Sequence, residues 1–258
     1  MGDHSTWFNL HPDYDNLQNW AAKYLARDWH GMMFEKDPPF SITHVVISLF
    51  ILVVLAMGAV VYRKKVAVGA EGRLIPEKKL LGTRNIFEMI TGLVLSLSEG
   101  VMGREKAERF LPLIGTVFFF ILFNNIIGLI PGFLPATDTL KTNLALSALI
   151  FLMTHVYGVK AHGLAYFKHF FGPVWYLAWL MFPIELISHL ARPISLALRL
   201  LGNMVADHKV LATFFFLVPL LVPLPFYVLG ILVCVVQAVV FTLLSIVYIE
   251  LAVAHEEH

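Results

Sequence analysis

The chain alternates long apolar runs with short clusters of charge, and the runs have the length of membrane-spanning helices. A helix of about 20 apolar residues crosses the ~30 Å hydrocarbon core of a bilayer. Three prolines, Pro219, Pro223 and Pro225, interrupt the last apolar region and predict a turn there, so that its two arms form a helical hairpin. Five crossings are therefore predicted, near residues 42–62, 110–130, 144–159, 175–222 and 227–254.

A different pattern occupies residues 86–102, where apolar side chains recur at helical spacing but Glu88 and Glu99 interrupt them. An amphipathic helix of this kind typically lies along the membrane surface, so an interfacial helix is predicted. Seven basic residues lie between positions 63 and 84, and three more lie between 104 and 109. Because basic loops face the cytoplasm, the pattern places the N-terminus outside and the C-terminus inside.

Composition supports a membrane protein. Of 258 residues, 58% are hydrophobic and only 14% are charged, which leaves too little polar surface to cover a soluble globule. Residues 1–40 are mixed in composition, lack a signal-peptide pattern and are interpreted as an external tail, whereas 41–258 form a single all-α polytopic membrane domain. The net charge of +1 excludes a field that would gather nucleic acid, and the single cysteine, Cys234, excludes an internal disulfide.

Ionisable residues within the predicted crossing 175–222 are the strongest indication of function. A charge near the bilayer centre costs at least ~2.5–3.5 kcal/mol on insertion scales, so such a residue is a functional hypothesis by default. At ~100° per residue, eight polar side chains share about a third of the helix circumference and extend ~33 Å along its axis. They are Glu185, Ser188, His189, Arg192, Ser195, Arg199, Asn203 and Asp207.

Arg199 is the member of this stripe that packing explains least well. Glu185 can offset His189 and Arg192, which follow one and two turns later, so that part of the stripe has a purely structural interpretation. The carboxylates nearest to Arg199 on its own helix, Asp207 and Glu185, lie ~12 Å and ~21 Å away along the axis. Arginine cannot lose its charge in a protein. It therefore needs a carboxylate from another subunit or a water-filled cavity.

Two motifs carry a resemblance to a known family. Residues 192–204, Arg-Pro-Ile-Ser-Leu-Ala-Leu-Arg-Leu-Leu-Gly-Asn-Met, follow the segment 183–187, Pro-Ile-Glu-Leu-Ile. Residues 125–132 read Asn-Ile-Ile-Gly-Leu-Ile-Pro-Gly, and Gln237-Ala238 stands in the last helix. Together they resemble subunit a of F-type ATP synthase, the stator component of its membrane motor, over the chain from about Phe40 to its end.

The resemblance implies a multi-pass subunit of a bacterial inner membrane that passes protons, or more rarely sodium ions, by way of a rotating ring of c subunits. Its partners would be that ring, the stator stalk of subunit b, the rest of the ATP synthase and the lipid bilayer. No catalytic residue, metal, cofactor or nucleic acid is implied. The essential arginine of the family maps onto Arg199. Two half-channels flank it: Asn203, Asp207, His208 and Gln237 on the outer side, and Glu185, Ser188, His189 and Ser195 on the cytoplasmic side.

One position departs from the family pattern. Members commonly place a carboxylate or histidine nine residues after the arginine, facing a His or Glu seven residues before the glutamine. Here the ninth residue is His208, the eighth is Asp207, and the facing position is Gly230. A proton-relay side chain has therefore moved from one arm of the hairpin to the other, and either Asp207 or His208 serves as the outer relay.

Two other classes of function fit the sequence less well. A secondary ion or solute transporter with a polar site at the membrane midplane would also use the stripe, but no repeat or broken helix is evident. An intramembrane hydrolase lacks its nucleophile and metal motifs. Three histidines, His155, His162 and His169, share one helical face, yet ~10.5 Å between neighbours is too far for one metal ion. They are expected to lie at the membrane interface.

Overall fold

The computed structural model describes most of the predicted membrane domain. The predicted external tail lies outside the described residues apart from Asn16 and Asn19, as do Pro219, His169 and the last four residues. The described residues are 43–67, 82–130, 133–163, 178–217 and 223–254, together with Asn16, Asn19 and Tyr166.

Helices account for almost all of the described chain, and no β-strand occurs within these residues, which confirms the all-α prediction. Six helices and one short 3₁₀ turn, Ala136–Asp138, have both of their ends within the described residues. The helices are α1 (Thr43–Ala67), α2 (Thr83–Met102), α3 (Arg104–Ile127), α4 (Leu140–His162), α5 (Ala178–Leu217) and α6 (Pro223–Val253).

Helix α3 starts at a different residue from the one predicted, because a single glycine sets the backbone conformation before it. Helix α3 begins at Arg104, six residues earlier than expected, because only Gly103 separates it from α2. Gly103 has φ 75°, in the left-handed region that glycine adopts most easily, and its N–H donates to the carbonyl of Glu99 at 3.1 Å. The chain therefore leaves α2 and enters α3 without an intervening loop.

The turn expected at Pro223 and Pro225 is helical instead. Helix α6 begins at Pro223, so both prolines lie in its first turn rather than before it. A proline is tolerated there because the N–H that it lacks would have no partner within the helix. The prolines thus start the second arm of the hairpin.

One hydrophobic core joins helices α2 to α6, and α6 contacts each of the other four. Helix α1 packs mainly through Ile47 and Ile51, against Ala136 of the 3₁₀ turn, and exposes Leu49 and Met57 on its other face. Exposed apolar surface of this kind is suited to lipid. Representative core residues of α2 to α6 are Val94, Ile114, Ile121, Ile150, Leu200 and Ile246, each no more than 1% exposed.

Five of the described helices are long and apolar enough, by length and composition, to cross a membrane: α1, α2, α3, α4 and α6. Helix α5 does not meet that criterion because the ionisable stripe lowers its apolar content. Helix α2 meets it, although it was expected to lie along the surface. The interfacial placement of α2 therefore stays a prediction.

Buried polar side chains fix the connection between α3 and α4. Thr137 Oγ1 donates a hydrogen bond to Asn125 Oδ1 at 2.8 Å, and Asn143 Nδ2 donates to the backbone carbonyl of Thr137 at 2.7 Å. All three residues are buried. Side-chain bonds therefore hold the 3₁₀ turn to both helices.

At the opposite end of the same helices, one ion pair joins two elements that are far apart in sequence. Lys106 Nζ, in the first turn of α3, lies 2.6 Å from Glu250 Oε1, near the end of α6. The start of α3 and the end of α6 are thus at one end of the bundle. The predicted topology makes this the cytoplasmic end.

We expect Thr137→Val to destabilise the bundle, because it removes the partner of Asn125 Oδ1 and leaves that buried acceptor unsatisfied, which costs about 1–3 kcal/mol. Thermal unfolding of the purified protein in detergent measures the effect. The control is Thr116→Val: Thr116 is exposed and donates only to the Pro112 carbonyl of its own helix. Equal midpoints for the two variants would contradict a structural role for the buried network.

Candidate functional site

Helix α5 supplies most of the candidate site. It has 40 residues and is about 60 Å long at helical rise, about twice the thickness of the hydrocarbon core. Pro183 and Pro193 lie inside it without ending it. Its core-facing side is formed by Leu196, Leu200 and Met204, each no more than 3% exposed. A helix of this length that crosses a bilayer must tilt or extend beyond the hydrocarbon core at its ends.

The polar stripe runs along the boundary between the buried and exposed faces of α5. Ser188, Ser195 and Arg199 are exposed. The other members are half-buried: Glu185, His189, Arg192, Asn203 and Asp207. Of these, His189, Arg192 and Asp207 contact residues of neighbouring helices. The structure thus divides the stripe into an outward-facing part, which includes Arg199, and an inward-facing part.

Arg199 lines an open groove on the surface together with Ala191, Ile194, Ser195 and Leu198. Within the described part of the chain, its guanidinium makes no ion pair, hydrogen bond or stacking contact. The apolar neighbours along the groove offer no compensating charge. The site therefore presents an unpaired positive charge at an apolar surface.

Beyond Arg199, Asp207 lies directly against Gly230 of α6. A Cβ atom placed on Gly230 would be 2.9 Å from Asp207 Oδ2 and 2.8 Å from Leu129 Cδ2, so the glycine leaves the space that the carboxylate occupies. Asp207 and Gly230, where the sequence departs from the family pattern, are therefore also neighbours in the structure. A small residue on one arm faces the acidic residue on the other.

His208 is held by the end of α3. Its Nε2 donates a hydrogen bond to the backbone carbonyl of Gly128 at 3.0 Å, because a carbonyl oxygen can only accept. Its Nδ1 is buried and has no partner among the described residues. His208 thus bridges α5 to the neighbouring helix, next to Asp207.

On the other side of Arg199, α5 carries a second cluster of polar side chains, Glu185, His189 and Arg192. His189 Nε2 lies 3.2 Å from Glu185 Oε1, one helical turn away, and the Arg192 guanidinium carbon lies 5.5 Å from the centre of the Tyr248 ring. The sequence suggested that Glu185 offsets His189, and this contact confirms it. Tyr248 belongs to α6, so the two arms of the hairpin also meet here.

Gln237 is half-buried on α6, between the two places where α6 contacts the polar stripe of α5. Gly230 faces Asp207 on one side of it, and Tyr248 faces Arg192 on the other. Interpolating along the two helices places Gln237 close to the turn that contains Arg199 and Asn203.

The fold brings two groups of polar residues to this region that the sequence pattern did not place there. His155 of α4 has its ring centre 5.6 Å from that of His189, and its position at the interface stays a prediction. The buried network of Asn125, Thr137 and Asn143 lies next to α5, since α5 contacts the 3₁₀ turn. Both groups are visible in the sequence as polar residues inside apolar runs. The sequence does not show which of them lie together, because that depends on which helices are neighbours.

Comparison with known proteins identifies the family. A family model described as ATP synthase A chain matches residues 40–250. ATP synthase subunit a of Bdellovibrio bacteriovorus is 50% identical over 187 residues, which are 72% of this chain and 81% of that relative. ATP synthase subunit a 1 of Syntrophotalea carbinolica is 55% identical over 168 residues, 65% of this chain and 71% of the relative. For ATP synthase subunit a of Geobacter sulfurreducens, the identity is 50% over 169 residues, covering 66% and 73%.

The chain belongs to the ATP synthase subunit a family. The matched region includes five helices in full and α6 as far as Glu250, so the resemblance inferred from the motifs is confirmed over residues 40–250. Family membership makes the chain a multi-pass membrane subunit of a bacterial ATP synthase, with a role in its stator and in proton transport.

We expect Gly230→Ala to lower proton transport while leaving the complex assembled. The added methyl group meets only the ends of two flexible side chains, so the fold tolerates it, but Asp207 must turn away. Because misplacement of a reacting group by about 1 Å can cost up to ~100-fold in rate, we expect at least a roughly fivefold loss. ATP-driven acidification of reconstituted vesicles measures it.

The matched control is Gly115→Ala in α3, where an added Cβ meets no atom within 4 Å. Both variants should purify with the complex in equal yield. Wild-type transport by Gly230→Ala would show that the position of the Asp207 carboxylate is unimportant.

Proposed function

We propose that this chain is the proton-conducting stator subunit of F-type ATP synthase, in which two offset aqueous half-channels exchange protons with carboxylates on a rotating ring of c subunits. The observation that carries the proposal is the exposed guanidinium of Arg199, which has no ion partner within the described chain. Its groove is lined mainly by apolar side chains, which suits an apolar partner helix bearing an acidic residue.

The charge of Arg199 would promote release of the proton from each ring carboxylate. In lipid, such a carboxylate must be neutral because burying it ionised is prohibitive. A fixed positive charge ~4 Å away is worth about 4 kcal/mol at an effective dielectric of ~20, or roughly a thousandfold in favour of the ionised form. Each carboxylate therefore gives up its proton as it passes Arg199.

The same charge would keep the two half-channels apart. A hydrated proton that approaches Arg199 is repelled, and arginine cannot accept it as a base. A proton that enters from one side must therefore travel with the ring before it leaves on the other. Each elementary charge that crosses a potential of ~100 mV releases about 2.3 kcal/mol, which is available to drive rotation.

In the outer half-channel, we assign proton delivery to Asp207. Its carboxylate occupies the space beside Gly230, between the two arms of the hairpin, whereas Nε2 of His208 is bound to the Gly128 carbonyl. His208 therefore positions the segment. Asn203 and Gln237 complete this half-channel next to Arg199, where their amide groups can hold water.

In the cytoplasmic half-channel, we assign proton release to Glu185 and His189, which are within hydrogen-bonding distance of one another. Ser188 and Ser195 are exposed on the same side of α5 and extend a polar path from this pair toward Arg199. By helical rise, Glu185 and Arg199 are ~21 Å apart along the axis, a distance that requires intervening water.

The orientation follows from the charge pattern. The basic residues that precede α3, with the Lys106–Glu250 ion pair, belong to the cytoplasmic end, so the N-terminus is outside and the C-terminus inside the bacterial inner membrane. The partners in this proposal are the c-subunit ring, the b-subunit stalk, the rest of the complex and the surrounding lipid. The chain itself moves protons and performs no covalent chemistry.

The first prediction of this proposal is that Arg199→Ala abolishes coupled proton transport. Loss of a fixed charge that stabilises a developing anion commonly costs ~100-fold or more, and the barrier between the half-channels disappears with it. Arg199→Lys should also be poor, because lysine loses its proton when desolvated. ATP-driven acidification of vesicles containing the reconstituted holoenzyme measures both variants.

The control is Arg104→Ala, since Arg104 lies at the exposed start of α3 and pairs there with Glu99 and Glu108, which are nearby in sequence. This variant should transport at the wild-type rate. Wild-type transport by Arg199→Ala would refute the role of Arg199. Failure of the purified chain to bring down a ring of small carboxylate-bearing subunits would refute the stator assignment itself.

The second prediction separates the two outer relay candidates. Asp207→Asn should reduce the rate strongly at every outer pH, because the amide cannot take up a proton. His208→Ala should lower the rate less, since it removes a positioning contact. Initial rates of ATP synthesis at a series of outer pH values measure both. The opposite order would make His208 the relay.

A further inference from the structure

A pair of histidines lies between α4 and α5, near the end of the bundle that holds the proposed cytoplasmic half-channel. The ring centres of His155 and His189 are 5.6 Å apart, with the ring planes at 69°. At this separation, nitrogen atoms of the two rings are within reach of one another directly or through one water molecule. His189 in turn contacts Glu185 at 3.2 Å. Three titratable groups from two helices thus form a continuous series.

Local contacts fix the orientation of the His155 ring. Its Nδ1 lies 2.8 Å from the carbonyl of Phe151, and because that oxygen can only accept, the hydrogen stays on Nδ1. In the neutral ring, Nε2 then carries the lone pair and is the nitrogen that accepts a proton. Phe151, at 4.2 Å, and Tyr166, at 5.8 Å between ring centres, hold the ring in place.

A small cavity of about 20 Å³ touches both imidazole rings. This volume holds a single water molecule, provided that two or more polar groups surround it. Polar side chains from three helices supply them: Ser147, Thr154, His155, His189, Arg192 and Tyr248. The cavity therefore has both the size and the lining for a water that bridges α4 and α5.

Charged groups of both signs and two phenols lie around the pair. Glu185 stabilises a positive charge on His189, whereas Arg192, which lines the same cavity, opposes one. Tyr248 lies beside Arg192, and Tyr166 beside His155. Burial raises the pKa of Tyr166 more than the charge of Arg192 lowers it, so this phenol stays neutral. A relay needs this balance, because a group that holds its proton too firmly blocks the path.

We propose that His155 is a further proton-relay residue of the cytoplasmic half-channel, connecting His189 and Glu185 on α5 to the cytoplasmic end of α4. The proposal rests on the proposed function and adds a second helix to the proton path. His155 lies seven residues before the end of α4, ~10 Å by helical rise, so its ring is well placed between the stripe and the cytoplasmic surface.

The proton balance of the step is simple. His189, protonated from the channel side, gives one proton to the lone pair on Nε2 of His155, directly or through the bridging water. His189 returns to its neutral form, and His155 becomes an imidazolium with hydrogen on both nitrogens. Release of the Nε2 proton to water at the cytoplasmic end restores neutral His155, with Nδ1 still bound to Phe151. The reverse sequence serves ATP-driven pumping.

Two other interpretations predict different results. A metal site is not supported, because no group of three or more potential ligands with suitable geometry occurs among the described residues. A purely structural role would rest on the ring contacts with Phe151 and Tyr166, which another aromatic side chain can also make. His155→Phe therefore keeps the packing and removes the proton-carrying nitrogens.

The test uses reconstituted holoenzyme with ATP supplied on the cytoplasmic side, the outer pH held constant and the cytoplasmic pH varied from 6 to 8.5. Proton pumping is expressed as the ratio of variant to wild type, which cancels the pH dependence of ATP hydrolysis. Imidazole changes charge between about pH 5 and 8. We expect His155→Phe to pump roughly tenfold more slowly near pH 6.5. This loss is smaller than the ~10²–10⁴-fold loss expected when a sole acid–base group is removed, because water also carries protons. The deficit should shrink toward pH 8.5.

The matched control is His162→Phe, the same substitution two turns later on α4, which should follow the wild-type profile throughout. His155→Gln is a second test variant: it retains a side-chain amide near the Phe151 carbonyl but cannot relay a proton, so it should share the deficit. Wild-type pumping by either His155 variant, or an equal loss in His162→Phe, would overturn the proposal. If neither His155 variant assembles with the ring, the residue is structural and the proposal is also overturned.

The outcome is separable from that of the proposed function. If Arg199→Ala fails to pump while His155→Phe pumps normally, the stator role stands and only the relay is wrong. If Arg199→Ala pumps normally, the proposed half-channels fail regardless of the behaviour of His155.

Discussion

The structure depends on the constraint that an arginine cannot discard its charge in a membrane. Lysine, histidine and carboxylates can become neutral when they are buried, but a guanidinium needs water or an anion. Arg199 has neither an ion pair nor a hydrogen bond within the described chain, and its groove is largely apolar. Among the described residues, the charge of Arg199 is therefore not compensated. A partner that brings carboxylates past this groove would satisfy the charge for only part of each cycle, as a motor requires.

The remainder of the site follows from how α5 meets its neighbours. Its buried face, around Leu200 and Met204, anchors it to the common core, which leaves Arg199 turned toward the outside of the bundle. The residues at the edges of that face contact other helices instead: Asp207 lies beside Gly230, and His189 faces His155. One helix thus supplies both an exposed charge and two inward-facing polar groups. The proposed half-channels lie at those two groups, on either side of Arg199.

The two ends of the bundle are stabilised in different ways. At one end, neutral hydrogen bonds join Asn125, Thr137 and Asn143 and hold the turn to α3 and α4. At the other, the Lys106–Glu250 pair is partly exposed and joins α3 to α6, which are distant in sequence. Rigid positioning matters here because proton transfer depends on separations of a few ångströms.

The sequence by itself determined the all-α membrane fold and singled out Arg199 as the candidate functional residue, because apolar length, helical period and the cost of intramembrane charge are properties of local sequence. Motif spacing placed His208, the ninth residue after Arg199, opposite Gly230, whereas the structure puts Asp207 there. The sequence could not determine that α6 starts at Pro223, or that His155 lies beside His189. Those features depend on which helices become neighbours and how they are rotated. Only packing of the buried faces against one another decides that.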